Sequence, residues 1–257
     1  MLGTVTALLA WAATIDYSPL AGFLAVLVSA LAAVFWQARR TGLLGPLDNG
    51  AVAWTLRAAG YALAVAVAGF AIVHTHPATL EAADTGAAIL TLATVATAFV
   101  TALALVFSPA VPARVRYTAI GGSLAATLIW LSAVVIAAPI PATVGWALAA
   151  AGAAAITAVL ADARPSGTTA GGLIAGLLAV AGTLALIFAA VVALAHWGPD
   201  ALIPNVTPHA PAGRQIAESR IEIVDPYIVV LVLSAVAATA LSLTAVFAPT
   251  GDPRRAP

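Results

Sequence analysis

The sequence contains no cysteine, and its ten basic residues are all arginines because lysine is absent as well. Without cysteine the chain cannot form disulfides, thiolate nucleophiles or cysteine-ligated iron–sulfur clusters. Without lysine it cannot form a Schiff base, which excludes the chromophore linkage of a seven-helix retinal protein. No phosphate-binding glycine loop, paired-carboxylate site or nucleic-acid-binding patch is present, so we expect neither an enzyme nor a nucleic-acid partner.

Charged residues are also few in this sequence. Only 8% of the 257 residues are charged, whereas 63% are hydrophobic. A soluble domain has about 25% charged residues. Because so few charges cannot cover a surface that faces water, the lipid bilayer must surround most of this chain.

Apolar runs of transmembrane length recur along the chain. A helix needs about 20 apolar residues to cross a ~30 Å hydrocarbon layer, and these runs lack the alternation of barrel strands. The sequence therefore predicts an all-α membrane protein, a bundle of seven transmembrane helices in a single polytopic domain spanning 1–257. The predicted spans are 19–37, 51–73, 86–107, 117–138, 142–161, 169–195 and 226–248.

Residues 1–16 allow three interpretations. Leu2 to Ala13 is apolar but too short to span a bilayer, and no basic segment of a secretory signal precedes it. We expect an interfacial helix, with a short eighth span or a cleaved signal as the alternatives.

The arginines predict the orientation. If the spans alternate, most arginines outside the helices fall on one side, and short arginine-rich loops stay in the cytoplasm. We therefore expect a cytoplasmic C-terminus and a long extracytoplasmic loop over 196–225. An all-arginine, alanine-rich composition is typical of GC-rich genomes, which points to a prokaryotic plasma membrane. The arginines assigned to the cytoplasmic side are Arg39, Arg40, Arg114, Arg116, Arg164, Arg254 and Arg255.

Aromatic residues fit the same orientation, because tryptophan and tyrosine are enriched at both lipid–water boundaries. Trp130, in the middle of the fourth span, is the exception. The predicted boundary residues are Trp36, Trp54 and Tyr117 inside, and Tyr17, Trp146, Trp197 and Tyr227 outside.

All four histidines fall on the predicted outer side: His74, His76, His196 and His209. Imidazoles with nearby carboxylates suit zinc or copper, and two facing histidines can ligate haem. The simpler interpretation is that histidines gather where water begins, because a polar side chain costs least there. We expect no cofactor and keep a metal or haem site as the alternative.

Polar residues within the predicted spans are few. Thr91, Thr94, Thr97 and Thr101 share one face of the third span. Such a stripe could line a polar path, although threonine more often bonds to its own helix. Arg57, inside the second span, could extend to the interface or contact an anionic lipid or a partner subunit.

The last two features concern packing and the long loop. Gly172-x-x-x-Gly176 is a small-residue face that lets two helix backbones approach closely. In the loop, the spacing of Arg214, Glu218 and Glu222 favours a short surface helix, whereas the alternation after Arg220 favours a strand.

These observations favour a non-catalytic subunit of a larger membrane complex, respiratory or transport-related, that binds other membrane subunits or itself. Small-residue packing faces are abundant, and acidic relay residues inside the spans are absent. A channel or permease for a small neutral solute along the threonine stripe is the first alternative. A membrane redox protein that uses the outer histidines is the second.

Overall fold

The computed structural model describes residues 18–43, 50–74, 85–107, 111–136, 144–166, 169–203 and 205–247. These ranges contain helices and no strand, so the all-α class predicted from the sequence is confirmed. The helices are α1 (Ser18–Arg40), α2 (Ala51–His74), α3 (Thr85–Val106), α4 (Ala113–Ile136), α5 (Val144–Ser166), α6 (Thr169–Trp197), α7 (Gln215–Glu222) and α8 (Asp225–Phe247), with a 3₁₀ turn at Asp200–Leu202.

Each predicted span coincides with a helix. The helices differ in whether their length and apolar composition suffice to cross a membrane. Within the described ranges, five helical segments are long and apolar enough to cross a bilayer, and Ala51–Ala66 in α2 forms a shorter apolar helix. Helix α4 is not among the five, and it opens with Arg114 and Arg116. The five segments are Gly22–Arg40, Ile89–Val106, Val144–Ala161, Gly171–Trp197 and Gln215–Phe247. The predicted interfacial helix over 1–16 lies outside the described residues.

Helix α1 ends at a glycine in the left-handed conformation. Gly42 has φ 71°, which is the one positive φ among the described residues. The N–H of Leu43 donates to the carbonyl of Ala38 at 3.0 Å, and the N–H of Thr41 donates to that of Gln37 at 2.9 Å. This 6→1 bond around a left-handed glycine is a Schellman motif, which satisfies carbonyls that the helix end leaves unpaired.

The chain divides into two compact units. The first comprises Met1–Pro112 and Ala238–Pro257, and in it α3 packs against both α1 and α2. The second, Ala113–Ala237, is built on α4, α5 and α6, each of which packs against the other two. Helix α8 contributes its first half to the second unit and its second half to the first.

Alanine makes the close packing of the second unit possible. Ala147, Ala151, Ala154 and Ala158 lie on one face of α5 and are at most 4% exposed. In a bilayer there is no hydrophobic drive for helices to associate, so small residues that bring backbones together are the main source of contact energy.

The tryptophans predicted at the lipid–water boundaries are exposed, as interfacial anchors must be. Trp36, Trp54, Trp146 and Trp197 are between 59% and 72% exposed, and the Arg40 guanidinium lies 4.6 Å from the centroid of the Trp36 ring.

Tyr227 behaves differently, and its assignment as an interfacial anchor is wrong. It is only 3% exposed and packs edge-on against Trp130, with ring centroids 6.2 Å apart. The two aromatic rings contribute directional contact energy to the core of the second unit.

Candidate functional site

The four histidines are only partly within the described residues. His74 ends α2, but its side chain and the whole of His76 lie outside them. His196 is exposed at the end of α6, with its ring edge-on to Trp197 at 5.3 Å, and His209 is exposed in the long loop. The described residues include no group of three or more His, Asp or Glu side chains placed to hold a metal ion. The metal or haem site stays a prediction.

The threonine stripe of α3 bonds mainly to its own helix. The hydroxyls of Thr94, Thr97 and Thr101 donate to the carbonyls four residues earlier, at 2.7 to 2.8 Å. Thr94 and Thr101 are 0% and 2% exposed, whereas Thr91 and Thr97 are half-buried. A hydroxyl that donates to its own backbone has no proton left to offer a passing solute, so this arrangement favours packing over a path.

In the second unit, Thr127 and Thr157 also bond to their own helices, but two serines reach a second helix. The Ser123 hydroxyl in α4 has two carbonyls within hydrogen-bond distance, that of Ala119 in its own helix at 2.9 Å and that of Ala179 in α6 at 3.1 Å. Ser234 in α8 donates to the carbonyl of Ala181 in α6 at 2.7 Å. Two neighbouring carbonyls of α6 therefore accept side chains from two different helices.

The absence of a side chain at Gly182 lets α4 approach α6 closely. A Cβ atom at that position would lie 2.7 Å from the Ser123 Oγ and 3.2 Å from its Cβ. Real Cβ atoms are essentially never found at the shorter distance, so the interhelical hydrogen bond depends on a glycine here.

The same contact explains why Thr183 is unusual. Its buried hydroxyl has no hydrogen-bond partner among the described residues, although several other threonines in the described helices bond four residues back. The carbonyl that Thr183 would use is that of Ala179, which already accepts the Ser123 hydroxyl as well as the helix N–H. The Ser123 hydroxyl therefore lies at the carbonyl that a bond from Thr183 to the residue four positions earlier would use.

Gly172 and Gly176 in α6 face Val159 of α5. A Cβ at Gly176 would lie 2.9 Å from Val159 Cγ2, and one at Gly172 would lie 3.8 Å from Val159 Cγ1. The glycine face therefore contacts a helix of the same chain.

Arg57 lies half-buried in α2 and is held by an aromatic ring. Its Nε donates to the Tyr61 hydroxyl at 2.9 Å, and its guanidinium carbon lies 5.2 Å from the centroid of the same ring. Its buried Nη1 has no hydrogen-bond partner among the described residues. A guanidinium inside an apolar helix whose described hydrogen bond is to an uncharged hydroxyl favours contact with an anionic group.

The prediction that Arg116 lies in a loop between the third and fourth spans is wrong, whereas its cytoplasmic placement stays a prediction. Helix α4 begins at Ala113, so Arg116 lies in its first turns, and it is only 2% exposed. It is the largest of the fully buried side chains. Counting arginines in loops gave no indication of this, because the start of α4 carries no cap residue that separates loop from helix.

The described part of the long loop contains a helix that is bonded to the end of α6. The predicted surface helix forms as α7, and the strand alternative is wrong. Arg220 of α7 donates to the carbonyls of Ala195 and Gly198 at 2.8 and 2.6 Å and pairs with Asp200 at 2.6 Å. Because these carbonyls end α6, a cation there also interacts favourably with the helix dipole.

A second set of bonds fixes the first part of the loop to α7. Ser219, 1% exposed, accepts from the N–H of Val206 at 3.2 Å and lies 2.9 Å from the Thr207 hydroxyl. Gln215 donates to the carbonyls of Pro208 and Ala210. These side-chain bonds could not be predicted from the sequence, since they join residues up to 13 positions apart.

The sequence matches no protein-family model. Comparison with curated proteins finds no match, and comparison with solved structures finds none either.

Proposed function

We propose that this multi-pass membrane protein is a non-catalytic integral subunit of a larger membrane assembly, respiratory or transport-related. The observation that carries the proposal is the use of the hydroxyl groups within the described helices. The threonines of α3 bond to their own helix, and Ser123 and Ser234 bond to α6. Side chains used in this way stabilise a bundle, which supports a packing role over a role in solute transfer.

The hydroxyl geometry counts against the channel alternative. A conducting stripe needs hydroxyls directed into a hydrated space, but Thr94 and Thr101 are almost fully buried and donate to carbonyls of their own helix. The redox alternative would need the side chains of His74 and His76, which lie outside the described residues, because the described ones contain no ligand cluster.

Arg57 supports a partner more directly. An arginine inside an apolar helix is costly unless its charge is paired, and among the described residues Arg57 bonds only to the uncharged Tyr61 hydroxyl. A carboxylate of a neighbouring subunit or a lipid phosphate would supply a bidentate acceptor of the right charge.

Exposed apolar faces offer the surfaces on which a partner would pack. On α4, Leu128 and Ile129 are 61% and 70% exposed, and on α5, Ile156 is 63% exposed. A photo-crosslinking amino acid at Ile129 or Ile156, activated in native membranes, should give discrete bands of higher mass. The same amino acid at the buried Leu184 should give none, since that side chain is 2% exposed.

If photo-crosslinking amino acids at exposed positions around every helix gave only lipid adducts, that result would contradict the proposal. A band that corresponds to twice the 25.5 kDa chain would instead identify the partner as a second copy.

A further inference from the structure

Arg57 is a cation for which the described residues supply no counter-charge. Its described hydrogen bond runs from Nε to the uncharged Tyr61 hydroxyl at 2.9 Å, and its Nη1 is buried without a partner among the described residues. The described residues of the first unit, to which α2 belongs, include three arginines and no aspartate or glutamate. Since an unpaired charge inside an apolar helix is costly, an anion from outside these residues has to pair with Arg57.

Around the axis of α2, Arg57 lies at the edge between the side that faces protein and the side that faces lipid. At about 100° per residue, Gly60 lies roughly 60° from Arg57 in one direction, and Trp54 lies roughly 60° from it in the other. A Cβ atom at Gly60 would lie 3.0 Å from Cδ1 of Leu103 in α3, whereas Trp54 is 69% exposed. An acceptor can therefore approach the half-buried guanidinium from the side of Trp54.

The depth of Arg57 along α2 matches the level of the lipid headgroups. Arg57 follows Trp54 by three residues, which is ~4.5 Å along the helix axis. Side chains on a helix lean toward its N-terminus, and the long arginine stem extends in that direction to the interface. An exposed tryptophan near the start of a span is typical of the aromatic belt at the headgroups. The guanidinium therefore reaches the level at which phosphates lie.

We propose that Arg57, oriented by Tyr61, binds the phosphate of an anionic phospholipid at the membrane face where α2 begins. Tyr61 holds Nε and Nη1 is buried, so Nη2 is the donor that meets the phosphate. A hydrogen bond between two charged groups of this kind is about twice as strong as one between neutral groups. This inference does not depend on the proposed function, because a lipid can bind to a lone chain and to a subunit alike.

A lipid phosphate fits the surroundings of Arg57 better than the carboxylate of another subunit does. Headgroup phosphates are present at this level around every helix that faces lipid. A carboxylate would instead require a second protein that covers the exposed ring of Trp54. The bilayer supplies the anion without that further requirement.

Native mass spectrometry tests this site directly, because it weighs each bound lipid. The full-length chain in detergent is titrated with dioleoylphosphatidylglycerol, with dioleoylphosphatidylcholine, whose choline balances the phosphate charge, and with inorganic phosphate. Arg57→Gln removes the cation. Arg39→Gln is the matched control, since Arg39 is exposed at the end of α1. The ten residues 41–50 between α1 and α2 are too few to cross a bilayer as a helix, so both arginines lie at one membrane face.

We expect phosphatidylglycerol to bind several-fold more tightly than phosphatidylcholine, and inorganic phosphate at the same concentration to leave no adduct. Arg57→Gln should remove most of this preference, whereas Arg39→Gln should retain it. An equal loss in the two variants would overturn the proposal, because net charge alone would then attract the lipid. The proposal would also be overturned if the preference survived in Arg57→Gln, were absent from the parent protein, or were matched by inorganic phosphate.

Two further measurements do not require Arg57→Gln to fold. Tyr61→Phe removes only the oxygen that holds Nε, so it should weaken the preference by a smaller factor, and an unchanged preference would contradict the proposed orientation of Arg57. A photo-crosslinking amino acid at Trp54 should capture lipid in native membranes. Capture of a polypeptide instead would overturn the lipid assignment while it supported the proposed function, so the two proposals can fail separately.

Discussion

The two units of this protein differ in whether their buried hydroxyls reach a second helix. In the first unit, the threonine hydroxyls of α3 donate to the carbonyls of their own helix. In the second, Ser234 donates to a carbonyl of α6, and Ser123 lies within hydrogen-bond distance of carbonyls in both α4 and α6. A count of polar residues per span could not have separated the two, since both units contain hydroxyls in otherwise apolar helices.

The difference follows from side-chain size and from the partner's backbone. Serine has no methyl group, and α6 offers Gly182 and two alanine carbonyls at the point of contact. A threonine on an apolar helix face has its own carbonyl within reach and bonds there instead. Helix-crossing hydrogen bonds therefore require a small donor and a small-residue partner together.

The largest expected effect comes from closing the gap between α4 and α6. Gly182→Ala places a methyl group 2.7 Å from the Ser123 hydroxyl, so it should destabilise the protein by about 1–3 kcal/mol. Gly152→Ala in α5 is the control, since a Cβ there meets nothing within 4 Å. That control should be neutral or gain up to ~1 kcal/mol, because alanine is the better helix former. Reversible unfolding in mixed micelles measures both.

Adding Ser123→Ala to Gly182→Ala sharpens this test. The double variant removes the hydroxyl that the new methyl group meets, so it should recover part of the loss and show a non-additive free energy. Strict additivity of the two changes would mean that Gly182 and Ser123 are not in contact.

Arg220→Gln should have the next largest effect, because it removes a charged donor from the carbonyls at the end of α6 and leaves Asp200 unpaired. Hydrogen bonds to charged groups are worth roughly 1.5–3 kcal/mol, and the partial exposure of this pair places the loss at the lower end. Arg214→Gln, at an exposed residue at the start of the same helix, is the control. Faster proteolysis of the 198–224 loop in Arg220→Gln, but not in Arg214→Gln, would show that Arg220 holds this loop against α6.

Helix α8 contains one serine that bonds to another helix and one that bonds to its own helix. Ser234 and Ser242 are both 0% exposed, but Ser234 bonds to Ala181 of α6 whereas Ser242 bonds to Ala238 of its own helix. Ser234→Ala should cost about 0.6 kcal/mol and at most ~1.7 kcal/mol, in line with interhelical bonds in membranes. Ser242→Ala should cost less. Equal losses would remove the distinction between the two kinds of bond.

The smallest effect is expected in the threonine stripe. Thr94→Val combined with Thr97→Val keeps the side-chain shape and removes only bonds within α3, so stability should change little. Solute flux in reconstituted vesicles should also be unchanged. A slower flux than that of the parent protein would restore the channel alternative and contradict the packing interpretation.

The sequence predicted the fold class and the helix positions well, because apolar length is a property of each segment alone. For example, the predicted span 51–73 corresponds to α2 at Ala51–His74. The surface helix in the long loop was one of two alternatives, favoured by the four-residue spacing of Arg214, Glu218 and Glu222, and the structure confirms it over the strand. Apolar length and residue spacing are local properties, so they predict a helix without knowledge of which helices are its neighbours.

What could not be predicted depends on neighbours. Tyr227 looks like an interfacial anchor until Trp130 is seen beside it, and Arg116 looks like a loop residue until α4 is seen to begin before it. The role of Ser123 appears only when Gly182 of α6 is placed against it. Which helix a polar side chain faces is a property of tertiary packing, and no periodicity within one span encodes it.

The proposed function requires that this chain works through other membrane proteins rather than along a path of its own. Native mass spectrometry of the protein released from its own membranes in mild detergent measures this without any substitution. We expect a particle in which the 25.5 kDa chain is accompanied by further polypeptides in fixed stoichiometry. A stable particle that contains one copy of the chain and only lipid would contradict it.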